Sequence, residues 1–407
     1  MNPHVRRAGK RLRDLQTAGL WRQRLVRDGP AGRTVMLDGR PCLNFSSNDY
    51  LGLTTHPKLC EAANRAMRDY GNGSSGSALV TGYSRPLCEL EELMAWHTGR
   101  EAAVVFSSGY LANLALAQVF CQRGQVVLED RLNHASLIDS ARLAGCRLRR
   151  YRHADVAHLK SRLDALEPPA VGLVASDAVF SMDGDTAPLA SLAQACGQKG
   201  VLLAVDDAHG IGVFGPAADN RGQGSVRAAG LDESAVPVLS GTFGKAYAAA
   251  GAFIAGPKLL IDLLVNTART YLFNTALSPA QAAMAQAAVR ISRTEDRHRQ
   301  RLWTNVARFR RLAEAAGLPL GAATGPIQPL MVGDEKQAAA LADGLLRHGI
   351  LARAMRYPTV PKGQARLRLT ITAAHEAEDV QTLVEVLAHL LPARIPSRQW
   401  SADHDPN

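Results

Sequence analysis

A carboxylate and an imidazole directly follow a strongly apolar segment in the middle of the chain. Residues 201–205 are predicted to form a buried strand, which runs into Asp206 and His209 within VLLAVDDAHGIGVFG (201–215). In open α/β sheets, ligands bind at the carboxyl ends of the strands. A carboxylate there could bind a metal ion, a ribose or a protonated ring nitrogen. We expect no metal, because His209 is the only further ligand nearby and no H-x-E or C-x-x-C motif accompanies it.

The same segment contains a G-x-G-x-x-G pattern at residues 210–215, which is typical of dinucleotide binding. That fold needs the first glycine at the end of the strand and a helix beginning at the third. Here four residues, two of them aspartates, separate Val205 from Gly210, and the Gly- and Pro-rich residues 215–230 do not favour a helix. A second match at 71–76 follows a helical pattern instead of a strand. We therefore expect neither a nicotinamide nor a flavin.

Three other segments carry groups that could bind a planar, phosphorylated ligand. SSG (107–109) joins a predicted strand to a helix, where free backbone N–H groups could bind an anion. Lys245 lies among Phe, Gly and Ala in SGTFGKAYAAAGAF, and desolvation there should lower the pKa of its amine and make it nucleophilic. His134 follows the predicted strand 126–128 and could stack on a ring. Taken singly, each could be an ordinary turn, capping or packing residue.

Together these groups predict pyridoxal 5′-phosphate (PLP) as the cofactor. The amine of Lys245 would hold the aldehyde as an imine, and the phosphate would bind at the helix N-terminus. The carboxylate of Asp206 would pair with the pyridinium nitrogen and keep it protonated, so that the ring can take up the electrons of a carbanion.

An α/β framework must position these residues. Predicted strands are short apolar runs, at 102–106, 126–128, 172–175, 201–205, 236–239 and 252–255. Helical patterns lie between several of them, most clearly at 85–97, where Pro86 suits the first turn and Gly99 the stop. This alternation predicts a mainly parallel sheet between helices.

The C-terminal third has a different pattern, which predicts a smaller α+β domain. An Arg-rich helix is expected from about 291 to 316, with later strands at 329–332 and 367–371 and helices at 336–348 and 376–391. The predicted division is an N-terminal arm at 1–50, a large cofactor-binding domain at 51–290, a C-terminal domain at 291–395 and a polar tail at 396–407.

Bulk composition excludes several classes of protein. The 407 residues are 46% hydrophobic and 21% charged, which is ordinary for a globular protein. The first residues contain no apolar signal region, no apolar run is long enough to span a membrane, and the six cysteines form no C-x-x-C, so we expect a cytoplasmic protein.

The net charge of +10 is concentrated in residues 1–40, which contain ten basic residues and only three aspartates. We expect no nucleic-acid binding, because this arm lacks interleaved aromatic residues; most of its charge is expected to be solvated surface.

Seven motifs distributed over residues 20–392 make the chain resemble the α-oxoamine synthases, a group of fold-type I PLP-dependent transferases. They are NFSSNDYLGL (44–53), SSGYLAN (107–113), DRLNHASLIDS (130–140), VFSMDGDTAPL (179–189), VDDAHGIGVFG (205–215), LSGTFGKA (239–246) and YPTVPKGQARLRLTITAAHE (357–376). The resemblance implies a homodimer with active sites at its interface.

The resemblance also implies roles for individual residues. The catalytic group is Lys245, His134, Asp206 and His209. Cofactor-binding residues are those four with Ser108, Gly109, Tyr110, Ser181, Thr242 and, from the partner subunit, Thr275 beside Asn274. The substrate region is implied to include Arg22, Asn48, His134, Arg356, Thr359 and Arg368, with at least one arginine on the amino-acid carboxylate.

The implied activity is a decarboxylative condensation of an amino acid with an acyl thioester. The resemblance favours L-alanine with pimeloyl-CoA or a pimeloyl carrier protein, and the alternative is glycine with acetyl-CoA. Several positions depart from the usual pattern of the family, namely Ser75, Ala78, Asp177, Asn274 and Tyr357. None of these departures removes a catalytic role.

Overall fold

The computed structural model describes residues 2–22, 24–166 and 169–391, so the predicted polar tail lies outside the described residues. The helices of this part are α1 (Pro3–Thr17), α2 (Pro57–Tyr70), α3 (Arg85–Thr98), α4 (Gly109–Phe120), α5 (Ala135–Leu143), α6 (Val156–Asp164), α7 (Leu189–Lys199), α8 (Ser225–Ala228), α9 (Lys258–Thr267), α10 (Arg269–Leu272), α11 (Pro279–Thr294), α12 (Arg297–Ala315), α13 (Glu335–Arg347) and α14 (Ala377–Leu390), with a π-helical turn at Ala78–Gly82. The strands are β1 (Arg27–Asp28), β2 (Thr34–Leu37), β3 (Arg40–Asn44), β4 (Ala102–Phe106), β5 (Val126–Asp130), β6 (Arg147–Tyr151), β7 (Val171–Asp177), β8 (Leu203–Asp206), β9 (Val238–Thr242), β10 (Ala252–Gly256), β11 (Ile327–Gly333), β12 (Ile350–Leu351), β13 (Arg353–Met355) and β14 (Ala365–Thr370).

A seven-stranded sheet in the order β4-β10-β9-β8-β7-β5-β6 forms the centre of the molecule. The pairings among β9, β8, β7, β5 and β6 are parallel, and β10 runs antiparallel to both of its neighbours. The predicted α/β fold with a mainly parallel sheet is therefore confirmed. The edge strand β6 was missed, because it is rich in arginine and mostly exposed, so it lacks the apolar run that marked the other strands.

Helices cover both faces of this sheet, and the strands are apolar on both sides for that reason. Neighbouring residues of β4 show the alternation, since Val105 belongs to one apolar cluster while Val104 and Phe106 belong to another. The helix predicted at 85–97 is confirmed as α3, and Gly99 ends it in the left-handed conformation at φ 68°.

The single Arg-rich helix predicted from about 291 to 316 is wrong, because the structure has two helices there. Helix α11 ends at Thr294, and Glu295 leaves the helical region with φ −118° and ψ 74°. Asp296 is the N-cap residue of α12, and its Oδ1 accepts a hydrogen bond from Nη2 of Arg299 (2.5 Å). Residues 292–301 are all polar or charged and include neither proline nor glycine, so nothing in the sequence pattern marked the break.

Two smaller sheets lie outside the central sheet, and one of them joins the N-terminal arm to the C-terminal part of the chain. Strand β3 of the predicted arm pairs in parallel with β12, and β11, β14 and β13 form a separate antiparallel sheet. Helix α1 precedes this part and buries none of its residues. The proposed domain boundaries stay a prediction. Among the described helices, none combines the length and apolar character needed to cross a membrane.

Candidate active site

Three neighbouring strands of the central sheet end at one cavity of about 220 Å³. Asp177 at the end of β7 is the register partner of Asp206 at the end of β8, which in turn lies opposite Ser240 of β9. The cavity is lined by Gly109, Tyr110, Asn113, His134, Ser136, Asp177, Val179, Ser181, Asp206, Ala208, His209, Thr242 and Lys245. The structure therefore brings together all four predicted catalytic residues and most of the predicted cofactor-binding residues.

The carboxylate of Asp206 is held in a fixed orientation. Its Oδ2 accepts a hydrogen bond from Nδ2 of Asn113 (2.6 Å), and its Oδ1 accepts one from the backbone N–H of Ala208 (2.9 Å). Asn113 is itself fixed, because its Oδ1 accepts from Oγ of Ser240 (2.8 Å). Sequence reasoning did not single out Asn113, although it closes the SSGYLAN motif.

A second carboxyl group, that of Asp177, lies beside Asp206. Burial, and then repulsion from Asp206, raise the pKa of Asp177 well above its ordinary value. Its Oδ2 accepts a hydrogen bond from the backbone N–H of His134 (2.9 Å). Asp177 thus positions the start of α5.

Lys245 lines this cavity, and the pKa of its amine is lower than that of an ordinary lysine. Desolvation lowers its pKa to about 8, against the opposing attraction of Asp206 and Asp177. Its Nζ lies 2.9 Å from Nε2 of His209. The lowered pKa predicted from the apolar sequence around Lys245 is confirmed.

His209 joins Lys245 to a buried tyrosine. Burial, followed by the charge of Lys245, lowers the pKa of His209 well below its ordinary value, so the ring is neutral. The hydroxyl oxygen of Tyr50 lies 2.6 Å from Nδ1 of His209, and this hydroxyl donates to Oδ1 of Asn48 (3.3 Å). When the ammonium of Lys245 donates to Nε2, the ring proton must be on Nδ1 and is donated to Tyr50. Sequence reasoning missed Tyr50, although NFSSNDYLGL contains it.

Replacing Tyr50 with phenylalanine is expected to lower kcat by about 5- to 100-fold, since leaving a buried polar group unpaired costs about 1–3 kcal/mol. The reason is that Nδ1 of His209 would lose its partner and the ring could rotate away from Lys245. Steady-state kinetics and the pH profile of kcat measure the effect. Tyr357→Phe, at a tyrosine that is 42% exposed, is the control and should leave both unchanged. A Tyr50 variant with wild-type kcat and pH profile would show that Tyr50 does not position His209.

His134 borders another side of the cavity. It precedes α5, its Nδ1 lies 2.8 Å from Oγ of Ser136, and burial lowers the pKa of its ring. Tyr110 meets it edge-on, with ring centroids 6.3 Å apart. A neutral imidazole that is fixed at Nδ1 is suited to stacking on a ligand ring, and this role stays a prediction.

The predicted phosphate end of the cavity lies where α4 begins. Ser108 caps this helix by accepting a hydrogen bond from the N–H of Leu111, and a Cβ atom on Gly109 would lie 3.8 Å from Cβ of Thr242. Thr242 is fixed because its Oγ1 donates to the carbonyl of Gly251 (3.0 Å). These residues lie together as two sides of what we call the cradle, where an anion is predicted to bind.

Two further predicted residues lie at the outer edge of this cradle. Nδ2 of Asn274 donates to Oγ of Ser107 (2.7 Å) in the same chain, and Thr275 is exposed. Thr275 does not line the cavity of its own chain as far as the described residues show. Its contribution to a partner subunit's site stays a prediction.

The predicted substrate residues fall into two groups. Arg368 is buried, donates from Nε to the carbonyl of Ser181 (2.6 Å) and from Nη2 to Oδ1 of Asn48 (3.0 Å), and so adjoins the cavity. Asn48 and His134 also belong to this inner group, whereas Arg22, Arg356 and Thr359 lie where the arm meets the loop before β14. There Nη2 of Arg22 donates to Oγ1 of Thr359 (3.3 Å), and Nη1 of Arg356 donates to the carbonyl of Gly19 (2.8 Å).

Comparison with known proteins adds independent information. The sequence profile described as aminotransferase class I and II matches residues 40–387. The chain is 49% identical over 368 residues to an 8-amino-7-oxononanoate synthase of Hahella chejuensis, spanning 90% of this chain and 92% of that relative. It is equally 49% identical over 386 residues to an 8-amino-7-oxononanoate synthase of Halorhodospira halophila, spanning 94% of each.

Solved structures show the same similarity. A serine palmitoyltransferase variant of S. paucimobilis with a bound PLP–myriocin aldimine has a TM-score of 0.88 and 28% sequence identity, and the match covers 96% of this chain and 98% of that one. An 8-amino-7-oxononanoate synthase of Francisella tularensis has a TM-score of 0.75 and 26% identity, with coverage of 86% and 97% respectively.

Proposed function

Because this chain belongs to the family of class I and II aminotransferases, we propose that its site catalyses the reaction for which its curated relatives are named. It is a PLP-dependent acyltransferase of the α-oxoamine synthase group and acts in biotin biosynthesis. The proposed substrates are L-alanine and pimeloyl-CoA or a pimeloyl carrier protein, and the products are 8-amino-7-oxononanoate, CO2 and the free thiol. The observation that carries this proposal is the nucleophilic amine of Lys245 in the same cavity as the fixed carboxylate of Asp206.

The residues around the cavity fit PLP. An amine with a lowered pKa, a carboxylate held by two hydrogen bonds, and the start of α4 beside Thr242 match the aldehyde, the ring nitrogen and the phosphate. When bound, PLP supplies an aldehyde that links to amines and a protonated ring that takes up the electrons of a carbanion. Lys245, Asp206 and Thr242 would hold it, with His134 on one ring face.

Lys245 also moves the proton in this proposal. Its amine, with a pKa of about 8, is partly unprotonated near neutral pH, and it takes the Cα proton of alanine at Nζ and later returns it. Neutral His209 accepts a hydrogen bond from the ammonium that this transfer forms, and Tyr50 fixes the tautomer of His209.

Arg368 is the proposed ligand of the alanine carboxylate. A guanidinium has five N–H groups. Three are donated to Ser181, Asn48 and, at 3.0 Å, Oγ1 of Thr370, which leaves two for a carboxylate. Arg22, Arg356 and Thr359 surround the loop before β14, where they are placed to meet the acyl donor.

The reactivity of Lys245 should depend on pH in a way that an ordinary lysine would not. Only the neutral amine attacks an aldehyde, so the rate at which the apoenzyme binds PLP should rise as the pH increases through about 8 and level off above it. Rapid-mixing absorbance measurements test this expectation. A rate that keeps rising to about pH 10.4, the ordinary lysine range, would contradict the desolvated amine.

We further propose a homodimer, supported by an exposed apolar patch beside the phosphate end. Val80 in the π-helical turn is 78% exposed and Phe273 is 74% exposed. Their segments are neighbours, because the N–H of Ala276 donates to the carbonyl of Gly76 (3.0 Å). A second copy that covers this patch would bring its own residues close to Ser107. Sedimentation analysis should show that the wild-type protein is a dimer. The double variant Val80→Asp with Phe273→Asp should be a monomer.

The basic helix α1 is proposed to attract the acyl donor. It buries none of its residues and carries Arg6, Arg7, Lys10, Arg11 and Arg13 against Asp14. Both CoA and a carrier protein are anionic, so attraction should speed association and weaken with salt. We expect kcat/KM for the acyl donor to fall as ionic strength rises. This fall should be less steep in the triple variant Arg6→Gln, Arg7→Gln and Arg11→Gln. A kcat/KM that does not change with ionic strength would count against this role.

Location in the cytoplasm is also part of the proposal. All six cysteines have free thiols in the structure, as is usual in reducing compartments.

Release of free thiol tests the proposed reaction directly. The purified enzyme should release thiol with L-alanine plus pimeloyl-CoA and form 8-amino-7-oxononanoate, identified by mass. Glycine plus acetyl-CoA is the matched alternative from the same group of enzymes and should react far more slowly. Faster turnover with glycine and acetyl-CoA would overturn the assignment of substrates while leaving the PLP chemistry intact.

A further inference from the structure

A second cluster of possible ligand groups lies outside the active site, where α11 ends, α12 begins and α2 starts. His56 immediately precedes α2, Glu295 follows α11, and His298 lies in the first turn of α12. One ligand atom from each lies within 4.8 Å of the other two, and Nε2 of His298 is 3.7 Å from Oε2 of Glu295. Glu295 and His298 are three positions apart, but His56 is distant from both in sequence, so no spacing motif indicated the cluster.

Two imidazole nitrogens in this cluster are buried without a partner. Nδ1 of His56 and Nε2 of His298 are both inaccessible to solvent, and neither has a hydrogen-bond partner among the described residues. Leaving a buried polar atom unpaired costs free energy, so such atoms call for a ligand. The two rings meet edge-on, with centroids 6.0 Å apart and an angle of 64° between their planes.

The hydrogen bonding of His298 leaves a lone pair directed into the cluster. Its Nδ1 lies 3.0 Å from the carbonyl oxygen of Leu51. A carbonyl can only accept, so Nδ1 carries the proton and Nε2 is the unprotonated nitrogen. An imidazole that donates one N–H to a carbonyl while its other nitrogen is free is the usual arrangement of a metal-binding histidine.

We propose that His56, Glu295 and His298 bind a divalent transition-metal ion of the zinc type, with water completing the coordination. Two imidazole nitrogens and one carboxylate oxygen are a ligand set suited to Zn²⁺, whereas Mg²⁺ and Ca²⁺ prefer oxygen ligands alone. An open surface cleft of about 430 Å³, lined by residues 294–297, passes Glu295 and gives an ion a route from solvent.

Two basic side chains form ion pairs with the carboxylate of Glu295, and a metal ion could displace either of them. Nζ of Lys58 lies 2.9 Å from Oε1 and Nη2 of Arg297 lies 2.6 Å from Oε2. The Lys58 and Arg297 side chains are 63% and 73% exposed, and ion pairs of this exposed kind are weak. An ion at Oε2 would take the place of Arg297, while Lys58 could remain on Oε1. Removal of Arg297 should therefore tighten metal binding.

A bound ion would connect the start of α2 to the junction of α11 and α12. The carbonyl of Leu51 is part of the same connection, and Leu51 follows Tyr50, whose hydroxyl contacts His209 in the active site. Metal binding should therefore raise Tm, because a ligand that binds only the folded state stabilises it.

The test is equilibrium dialysis of chelator-treated holoenzyme against buffered Zn²⁺, with metal analysis. We expect one strongly bound ion per chain and an increase in Tm. His56→Gln and His298→Gln should each weaken binding by about 100-fold or more, since even the loss of an outer partner of a ligand costs about 10–100-fold. Arg297→Gln should bind several-fold more tightly, an effect that misfolding cannot imitate.

Two controls separate this site from adventitious binding. Cys60→Ser removes an exposed thiol in the first turn of α2, close to His56, and should leave the affinity unchanged. Mg²⁺ should not compete, and Cu²⁺ bound in place of Zn²⁺ should show electron paramagnetic coupling to two nitrogens. Zn²⁺ binding that persists in the double variant His56→Gln with His298→Gln, or that is lost in Cys60→Ser, would overturn the proposal.

Discussion

Lys245→Ala is expected to lower turnover by about 10⁴-fold or more, since proton transfer alone contributes about 10²–10⁴-fold and this variant also loses the covalent link to PLP. Lys245 carries both functions in this account, because its Nζ lines the cavity and its pKa is lowered to about 8. The variant should also lose the visible absorbance of the lysine-linked cofactor. Thiol release with alanine and pimeloyl-CoA measures the turnover.

The control for Lys245→Ala is the same change at a surface lysine. Lys258 pairs with Asp262 at 2.7 Å on an exposed face of α9, so Lys258→Ala should keep wild-type turnover and absorbance. Lys245→Ala should remain folded, since Lys245 makes a single side-chain hydrogen bond among the described residues, to His209. If this folded variant retained more than about one hundredth of wild-type turnover, Lys245 could not be both the covalent anchor and the base.

Asp206→Asn should lower kcat by about 10²–10³-fold, the usual effect of removing one fixed group that stabilises charge in a transition state. The amide has the same shape but no negative charge, so it cannot keep a ring nitrogen protonated. Stability should fall as well, by about 1–3 kcal/mol, because the new amide N–H₂ would face Nδ2 of Asn113 and leave donors unpaired. Steady-state kinetics and thermal unfolding measure the two effects.

A matched change separates the role of the charge from that of the hydrogen bonds. Asn113→Ala removes the neighbour of Asp206 but keeps the carboxylate, so it should destabilise the fold and reduce kcat much less than Asp206→Asn. Asp262→Asn, at an exposed ion pair, should leave kcat unchanged. Equal losses of kcat in Asp206→Asn and Asn113→Ala would mean that orientation, not charge, is what the site needs from Asp206.

The sequence predicted the framework of the site well because strand ends are marked by abrupt changes in polarity. Asp206 follows an apolar run that the structure places in the parallel part of the sheet, and parallel strands bring their carboxyl ends to one edge. The lowered pKa of Lys245 was predictable for a similar reason, since Phe243, Ala246 and Tyr247 around it are apolar and buried.

Residues that act through contacts distant in sequence were not predictable from local pattern. Tyr50 reaches His209 across 159 positions, and Asn113 reaches Asp206 across 93. Both lie in motifs that supported the family resemblance, yet a motif does not say which of its side chains turns inward. The contacts of Arg22 with Thr359 and of Arg356 with Gly19 depend on the packing of the arm, which no periodicity describes.

Borohydride reduction of the holoenzyme followed by peptide mass mapping tests the central claim most directly. Reduction fixes PLP to whichever amine holds it. Our account predicts a phosphopyridoxyl group on the peptide that contains Lys245, in a ratio of one per chain. Attachment to a different lysine, or no attachment at all, would contradict the placement of PLP between Lys245 and Asp206.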